Sequence, residues 1–160
     1  MRKTTIPSDK LNEKELFQRL SSLCARRECC IRDMEEKMLA LGVEEEMQSR
    51  IIDRLVQERF VDETRYARAY ALDKMRYNHW GRLKIGQMLR MQGISTSDRD
   101  IALRELPDEE YDDILRRLIE SKLPTIKANS DYERRGKLFR YLLGRGFEMS
   151  DIERLIDSEF

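Results

Sequence analysis

Two stretches of this 160-residue sequence contain basic side chains and no acidic ones, at residues 74–90 and 134–145. Their matched basic residues are Arg82 and Lys84 in the first stretch, and Arg135 and Lys137 in the second. Arginine forms paired hydrogen bonds with carboxylates and phosphates, and both cations gain free energy near DNA by releasing condensed counterions. The stretches therefore indicate a surface for an anionic partner, which could be DNA or an acidic protein. A solvated helix face remains the alternative for any one of these side chains taken alone.

The sequence has one tryptophan, Trp80, which stands between His79 and Gly81 at the expected start of a basic helix. An indole there could stack on a base or on a partner's ring, but we favour a position that fills the gap between helices. His79 is expected to be a surface or capping residue. The residues that we predict to contact a partner or DNA are Trp80, Arg82, Lys84, Arg90, Arg134, Arg135, Lys137, Arg140 and Arg145.

The sequence lacks the residue patterns of catalytic and metal sites. With a single histidine, and no serine or cysteine beside it, no nucleophile–base pair can be argued, and no glycine-rich phosphate loop is present. The three cysteines, Cys24, Cys29 and Cys30, have no CxxC spacing, and an odd number with two adjacent fits no disulfide framework. We therefore predict reduced thiols, no metal, no cofactor and no enzymatic activity.

Bulk composition limits the part that overall charge plays in binding. The formal net charge is zero, which argues against attachment to nucleic acid by bulk charge alone, although residues 64–107 and 134–147 each carry a net charge of +5. The N-terminus has no apolar signal segment, and no apolar run is long enough to cross a membrane. We expect a cytoplasmic protein that makes no contact with a membrane.

A repeated phrase indicates which elements must position the basic residues. An apolar residue, three others, a glycine and another apolar residue recur around Gly42, Gly93 and Gly146, which are 51 and 53 residues apart. A fixed period of this size indicates one supersecondary unit used three times. The apolar residues eight before, four before and one after each glycine are Met34, Met38 and Val43, then Ile85, Leu89 and Ile94, then Leu138, Leu142 and Phe147.

Each phrase predicts a helix that ends at its glycine. Residues four apart lie on one helix face, glycine adopts a left-handed conformation at low steric cost, and the following apolar residue can fold back on that face. Amphipathic helices can end this way without repetition, but three occurrences in register favour a true repeat. The first unit has Ile31 and Asp33 where the others have the matched arginine and lysine, so we predict that the second and third units make the contacts.

The periodicity predicts an all-α protein of three tandem three-helix repeats that form an elongated curved array. Asp62 is expected to cap the first helix of the second repeat, and Ser150 with Glu153 to form a capping box for the last helix. No segment alternates with a period of two over a useful length, so no sheet is expected. The predicted division is a flexible tail at 1–12 and repeats at 13–62, 63–107 and 108–160.

Three phrases, in this order and spacing, resemble the RecX family of bacterial recombinase regulators over about residues 13 to 157. The phrases are residues 58–67 (ERFVDETRYA), the segment 80–94 that begins WGRLKI, and residues 141–147 (YLLGRGF). The cysteines and the three glutamates at 44–46 are not part of that family's pattern, so no function is assigned to them.

The resemblance implies a crescent of three three-helix repeats that binds the filament of RecA recombinase and DNA. It further implies damping of the filament's ATPase and strand-exchange activities, in homologous recombination, DNA repair and the SOS response. Some family members also bind DNA directly, and the family offers no catalytic residues to transfer. We therefore predict a monomeric, non-enzymatic inhibitor of RecA. The alternative is a stand-alone helical DNA-binding module, against which the zero net charge counts.

Overall fold

The computed structural model describes residues 12–159, and within that range it contains nine α-helices and no β-strand. The helices form three consecutive groups of three, which we call repeat 1, repeat 2 and repeat 3. This confirms the all-α fold of three-helix repeats, while residues 1–11 of the predicted tail lie outside the described residues. The helices are α1 Glu13–Arg26, α2 Ile31–Ala40 and α3 Glu45–Gln57 in repeat 1; α4 Glu63–Asn78, α5 Arg82–Met91 and α6 Thr96–Arg104 in repeat 2; and α7 Asp108–Lys122, α8 Asp131–Gly144 and α9 Met149–Glu159 in repeat 3, with a 3₁₀ turn at Leu123–Thr125.

Capping side chains begin several of the helices. The side chain of Asp62 accepts a hydrogen bond from the N–H of Arg65 at 3.0 Å, which confirms the cap predicted for α4. The side chains that cap α1, α6 and α8 in the same way are those of Asn12, Ser95 and Ser130. Each cap bonds an N–H that has no partner within the helix and contributes about 1 kcal/mol.

The start of α9 differs from the sequence prediction. The predicted capping box at Ser150 is wrong, because α9 already begins at Met149. The first hydrogen bond of the helix runs from the N–H of Ile152 to the carbonyl of Glu148, at 3.1 Å. The chain enters α9 directly after buried Phe147, so the serine lies inside the first turn and cannot cap it.

The second helix of each repeat ends in the same way, at the glycine of the repeated phrase. Gly42, Gly93 and Gly146 have φ angles of 73°, 77° and 92°, in the left-handed region that glycine adopts at low cost. The N–H of the next residue donates to the carbonyl of the residue four before the glycine: Val43 to Met38 at 3.0 Å, Ile94 to Leu89 at 3.1 Å and Phe147 to Leu142 at 3.2 Å. All six of these residues are buried, so the predicted fold-back at the helix end is confirmed.

Two hydrophobic cores hold the three repeats. The core of repeat 1 is formed by its own three helices, with Leu16, Met34 and Leu55 almost inaccessible to solvent. Repeats 2 and 3 share a second, continuous core that extends from Tyr66 in α4 to Ile156 in α9. Because each of these two repeats completes the interior of the other, repeats 2 and 3 form one packing unit, which we call the fused unit.

Backbone atoms join repeat 2 to repeat 3. The N–H of Gly81, at the N-cap of α5, donates to the carbonyl of Arg145 at the end of α8, at 2.9 Å. The N–H of Leu83 donates to the carbonyl of Gly146, also at 2.9 Å. A Cβ atom on Gly81 would collide with the backbone of Gly146, and one on Gly146 would collide with Lys84. The contact therefore needs both glycines, and it places the negative end of the α8 dipole against the positive end of α5.

Side chains, by contrast, join repeat 1 to repeat 2. The polar contacts include Glu28 with Arg65 Nε at 2.6 Å, Glu63 with the N–H of Ile31 at 3.3 Å, and the guanidinium of Arg32 with the carbonyl of Met91. The Arg65 guanidinium also donates to the carbonyls of Arg59 and Phe60. Cys30, at the N-cap of α2, is fully buried and belongs to the core of the fused unit. Repeat 1 thus keeps its own core and attaches through polar side chains and one buried thiol.

The second helix of repeat 3 has one additional turn at its start. The helices α2 and α5 begin eleven residues before their glycines, whereas α8 begins fifteen residues before Gly146. Arg134 occupies the position that matches Gly81, but its N–H already donates to the carbonyl of Ser130 at 3.0 Å. The start of α8 therefore offers no free N–H at the position where α5 offers that of Gly81 to the neighbouring repeat.

Candidate partner-binding surface

Arg82, the first predicted contact residue on α5, is bound into the interior of the fused unit. Its guanidinium donates to the carbonyl of Leu103 at 3.1 Å and to Asp108 at 3.0 Å, and it lies 4.0 Å from the ring centre of Tyr111. Only 18% of the side chain is exposed. The N–H of Arg82 donates to the Tyr111 hydroxyl, whose pKa is raised to about 12 by burial. Arg82 therefore connects α5 with the α6–α7 region, and a partner would have to displace these contacts to reach it.

Arg145 closes the end of α4 from the neighbouring repeat. Its guanidinium donates to the carbonyls of Asn78 and His79. His79 is exposed and ends α4 in a left-handed conformation, with φ of 55°, as expected for a capping residue. Since the carbonyl of Arg145 also accepts the N–H of Gly81, this arginine fixes the junction between repeats 2 and 3 at two points.

Trp80 packs against the shared core, as favoured from the sequence, and two lysines lie near its ring. The Nζ atoms of Lys84 and Lys74 are 4.6 and 5.1 Å from the ring centre. Lys74 Nζ is also 5.3 Å from the ring centre of Tyr70. Aromatic faces attract cations, so these rings hold both ammonium groups close to repeat 2. The sequence pattern missed the pairing of Lys74 with Trp80, because this lysine lies on α4, before the basic helix.

The basic residues at the start of α8 form ion pairs at the surface. The pairs are Arg134 with Asp131 at 3.0 Å, Arg135 with Asp157 at 2.8 Å, and Lys137 with Glu133 at 3.2 Å. Hydrogen bonds from the N–H of Asn129 and from Lys137 hold the pKa of Glu133 below its usual value. Exposed pairs of this kind contribute only about 0–1 kcal/mol, so an anionic group of a partner can replace the carboxylate.

Arg90 and Arg140 are the most available cations of the two helices. Both are exposed, and within the described part of the chain neither forms an ion pair or a side-chain hydrogen bond. Together with Lys84 and Lys137, they make up what we call the outward basic set. Repeat 1 has Asp33, Leu39 and Glu36 at the matching distances from its glycine, so the set is confined to the fused unit.

Known proteins match the chain in the same units. The family model for the second three-helix domain of RecX matches residues 62–103, and the model for the third three-helix domain matches residues 108–156. Regulatory protein RecX of Pseudomonas fluorescens (strain SBW25) is 33% identical over 137 residues, which cover 84% of this chain and 84% of that protein. The chain belongs to the RecX family of regulatory proteins. The family also includes regulatory protein RecX of Clostridium tetani (strain Massachusetts / E88), which is 27% identical over 128 residues, 79% of this chain and 58% of that protein.

Solved RecX structures share the fold. The crystal structure of RecX from Lactobacillus salivarius has a TM-score of 0.82 at 20% identity, and the match covers 91% of this chain and 95% of that one. A crystal structure of regulatory protein RecX has a TM-score of 0.81 at 23% identity, over 91% of this chain and 71% of that one. At these identities the likeness concerns the fold, and it agrees with the three-helix repeats described above.

No helix between residues 12 and 159 has the length and apolar character needed to span a bilayer. In the same range, histidine, cysteine, aspartate and glutamate side chains nowhere form a group of three suited to a metal ion. Cys24, Cys29 and Cys30 are free and buried.

Proposed function

We propose that this protein is a non-enzymatic inhibitor of a RecA-type recombinase, which binds the recombinase–DNA filament and damps its ATPase and strand-exchange activities. The observation that carries the proposal is the outward basic set, placed on two helices that one shared core holds in a fixed relation. Membership of a family of regulatory proteins supports the same conclusion. On this proposal the protein acts in the cytoplasm as a monomer, in recombination, DNA repair and the SOS response.

A rigid pair of basic helices suits a partner that presents anionic groups at regular intervals, as a helical filament does. Because the contact of Gly81 with Gly146 fixes α5 against α8, little backbone ordering has to accompany binding. The exposed guanidinium groups of Arg90 and Arg140 can pair with carboxylates or phosphates through two parallel hydrogen bonds. Lys137 can exchange its pair with Glu133 for the same kind of group.

Inhibition of this kind follows from binding rather than from a reaction. A bound protein shifts a conformational equilibrium by its difference in affinity for the two states. An inhibitor that binds the static filament more tightly than the subunit arrangements of the hydrolytic cycle therefore slows ATP turnover. The same binding blocks the filament surface on which strand exchange takes place.

The proposal is tested by titrating the protein into RecA and single-stranded DNA while ATP hydrolysis and DNA retention are followed together. We expect hydrolysis to fall at protein concentrations that leave bare DNA unbound in a parallel gel-shift or anisotropy assay. Unchanged hydrolysis at a protein excess that saturates any binding to the filament contradicts the proposal.

A second candidate function is a stand-alone DNA-binding module, which the exposed Arg90 and Arg140 favour. This alternative requires tight binding to DNA without recombinase, with log affinity that falls steeply against log salt concentration. The acidic start of α7, with Asp108, Glu109 and Glu110 in its first turn, counts against it, because this turn lies between the two basic stretches in the chain. Equal affinity for bare DNA and for the filament would favour the module.

A further inference from the structure

The surface of α8 carries an open groove with aromatic walls. Tyr132, Gly136 and Phe139 follow one another at intervals of four and three residues, so they lie on one face of the helix. The side chain of Tyr132 is 90% exposed, and that of Phe139 is half-buried. The groove that these three residues line has a volume of about 700 Å³. It is therefore large enough to take a side chain of a partner.

Gly136 keeps this groove open and has no other evident task in the fold. Glycine inside a helix is less stable than alanine, because it loses more conformational freedom on folding. At Gly81 and Gly146 the close approach of a neighbouring backbone requires a glycine, but a Cβ on Gly136 would meet no atom within 4 Å. Gly136 does not have the positive φ of a helix end either. What the residue provides is the free space between the two rings.

Two arginines border the groove and give it a preference for negative charge. Arg140 lines the groove, is exposed and forms no ion pair with any residue that the structure describes. Arg135 pairs with Asp157 at 2.8 Å, and its guanidinium carbon lies 5.6 Å from the ring centre of Phe139. An apolar space beside an unpaired guanidinium suits a segment with a large apolar side chain next to a carboxylate.

The matching position on α5 shows such a segment in place. Arg135 and Arg82 both stand eleven residues before the glycine of their repeat. The guanidinium of Arg82 is covered by α7, which places Asp108 at 3.0 Å and the ring centre of Tyr111 at 4.0 Å. Repeat 3 is the last of the three described repeats, so no equivalent of α7 follows it. The protein itself thus pairs this arginine position with an aspartate and an aromatic ring three residues apart on a helix.

We propose that the groove over Gly136 receives a protein segment that presents an aromatic side chain beside an aspartate or glutamate. The aromatic side chain lies between Tyr132 and Phe139, and the carboxylate pairs with Arg140. Since the start of α8 offers no free N–H, the segment is held by side chains. This inference rests on the proposed function, and it specifies which kind of segment on a filament subunit the fused unit binds.

A protein segment suits the groove better than single-stranded nucleic acid does. Nucleic acid strands bind along a track of cations, on which several phosphates are neutralised while successive bases stack. This groove offers one space the size of a side chain and, among its described lining residues, one guanidinium without an ion pair. Glu133 also lines the groove, but its carboxylate is bound by the N–H of Asn129 at 3.1 Å and by Lys137 at 3.2 Å.

The test fills the groove without changing any charge. Gly136→Ala and Gly136→Leu add side chains of increasing size at an open helix position, so both should keep or raise the midpoint of thermal unfolding. We expect Gly136→Leu to raise the concentration that halves DNA-stimulated ATP hydrolysis by RecA by about tenfold, and Gly136→Ala to raise it less. Gly144→Leu is the control, because Gly144 is equally open but lies outside the groove. It should inhibit like the wild type.

Tyr132→Ala provides a second variant whose folding is not in doubt. Its ring is exposed and belongs to no core, so removal leaves the fold unchanged while one wall of the groove is lost. We expect weaker inhibition, by about fivefold or more. If Gly136→Leu fails to fold, wild-type inhibition by Tyr132→Ala overturns the inference and weaker inhibition supports it.

The remaining outcomes separate this inference from the proposed function. If the wild type inhibits and a folded Gly136→Leu protein inhibits equally well, the groove is not a binding site, and the proposed function stands. An equal loss in Gly144→Leu also overturns the groove. If the wild type does not inhibit, the proposed function fails and the inference fails with it. Loss of affinity for oligo(dT) by the same factor, measured without recombinase, assigns the groove to single-stranded DNA and overturns the protein segment.

Discussion

The two junctions between repeats are built differently. Repeats 2 and 3 meet backbone to backbone, where Gly81 lies against Gly146 and a continuous core runs beneath the contact. Repeats 1 and 2 meet through side chains, including the pair of Glu28 with Arg65, above two separate cores. The same three-helix unit therefore produces a rigid pair and a more loosely attached third member. The junction of repeats 2 and 3 rests on two glycines and a shared core, and polar contacts such as that of Arg82 with Asp108 add to it.

This difference coincides with the distribution of charge. Both helices of the outward basic set belong to the fused unit, whereas α2 has Asp33 and Glu36 at the matching positions. A binding surface made of two elements is more effective when their relation is fixed before binding, because less conformational entropy is then lost. The shared core keeps α5 and α8 in a fixed relation.

The largest expected effect comes from separating the two units. A fragment of residues 62–160 retains the continuous core except for Cys30, so we expect it to remain helical and to unfold cooperatively. A fragment of residues 12–61 has fewer than 60 residues and should be only marginally stable. Far-UV circular dichroism and the emission of Trp80, the only tryptophan, can follow the first fragment. An unfolded 62–160 fragment, together with a stably folded 12–61 fragment, would contradict the claim that repeats 2 and 3 form the packing unit.

A single methyl group should distinguish the glycine contact from ordinary helix positions. Gly81→Ala forces the Cβ into the backbone of Gly146 and weakens two hydrogen bonds, so we expect a loss of about 2–5 kcal/mol in the free energy of unfolding. Gly144→Ala adds the same methyl group to α8 where no other atom lies within 4 Å. It should stabilise the protein by about 0.5–1 kcal/mol. Urea unfolding followed by Trp80 emission measures both, and equal effects would remove the special role of the contact.

The polar contacts at the two junctions should differ by a smaller amount. Arg82→Met keeps the apolar stem but removes the buried guanidinium from Leu103 and Asp108, which should cost about 2–3 kcal/mol. Glu28→Gln removes a partly exposed pair with Arg65 and should cost at most about 1 kcal/mol. Chemical denaturation of the two variants under the same conditions gives the comparison. A greater loss in Glu28→Gln would place the stronger polar connection at the first junction.

The contributions of two glutamates to the free energy of unfolding should change in opposite directions as the pH is lowered. A hydrogen bond and ion pair with Arg76 lower the pKa of Glu110, so its contribution is present above the unfolded pKa and is lost as pH falls through the folded pKa. Burial raises the pKa of Glu63, helped by the charges of Asp98 and other nearby carboxylates, so its protonation favours the folded state as pH falls. Glu110→Gln should therefore destabilise the protein at pH 7 and have little effect at pH 3.

The matched variant at the other junction should behave in the opposite way. Glu63→Gln removes a buried charge while its amide oxygen can still accept the N–H of Ile31, so it should not destabilise the protein at pH 7. Any gain in the free energy of unfolding over the wild type should shrink as the pH is lowered and Glu63 becomes protonated. Thermal unfolding at a series of pH values measures both variants, and parallel pH profiles for the two would contradict the assigned signs.

The sequence was sufficient for the features that depend on local geometry. The phrase around Gly42, Gly93 and Gly146 specifies a left-handed helix end and a buried residue after it, and both are fixed within about ten residues of chain. The cap at Asp62 is equally local. The capping box at Ser150 failed because buried Phe147 turns the chain into α9 before the serine is reached.

The sequence positions of the basic residues do not show which of them are bound at a junction between repeats and which are available at the surface. Arg82 and Lys84 stand two residues apart on α5 and look alike in the sequence, but Arg82 faces Tyr111 of the next repeat and Lys84 faces the ring of Trp80. Which face of α5 meets the next repeat depends on packing between repeats, which local patterns do not encode. A signal was nevertheless present, because Gly81 and Gly146 are small residues at the two ends that must approach each other.

The most direct test of the proposed function compares two sets of charge reversals of equal size. The first replaces the outward basic set by glutamate, in Lys84→Glu, Arg90→Glu, Lys137→Glu and Arg140→Glu. The control set reverses four exposed cations elsewhere, in Arg19→Glu, Arg26→Glu, Lys37→Glu and Arg117→Glu. Both proteins should keep wild-type helicity, because none of the eight side chains belongs to a core. Folding of the first set is judged by far-UV circular dichroism and not by Trp80 emission, since Lys84 Nζ lies 4.6 Å from the centre of that ring.

The measurement is the concentration of each protein that halves DNA-stimulated ATP hydrolysis by RecA. We expect the first set to raise that concentration by about tenfold or more, equivalent to at least about 1.4 kcal/mol of binding free energy, and the control set to leave it nearly unchanged. Full inhibition by the first set, or an equal loss in both sets, would contradict the claim that α5 and α8 form the binding surface.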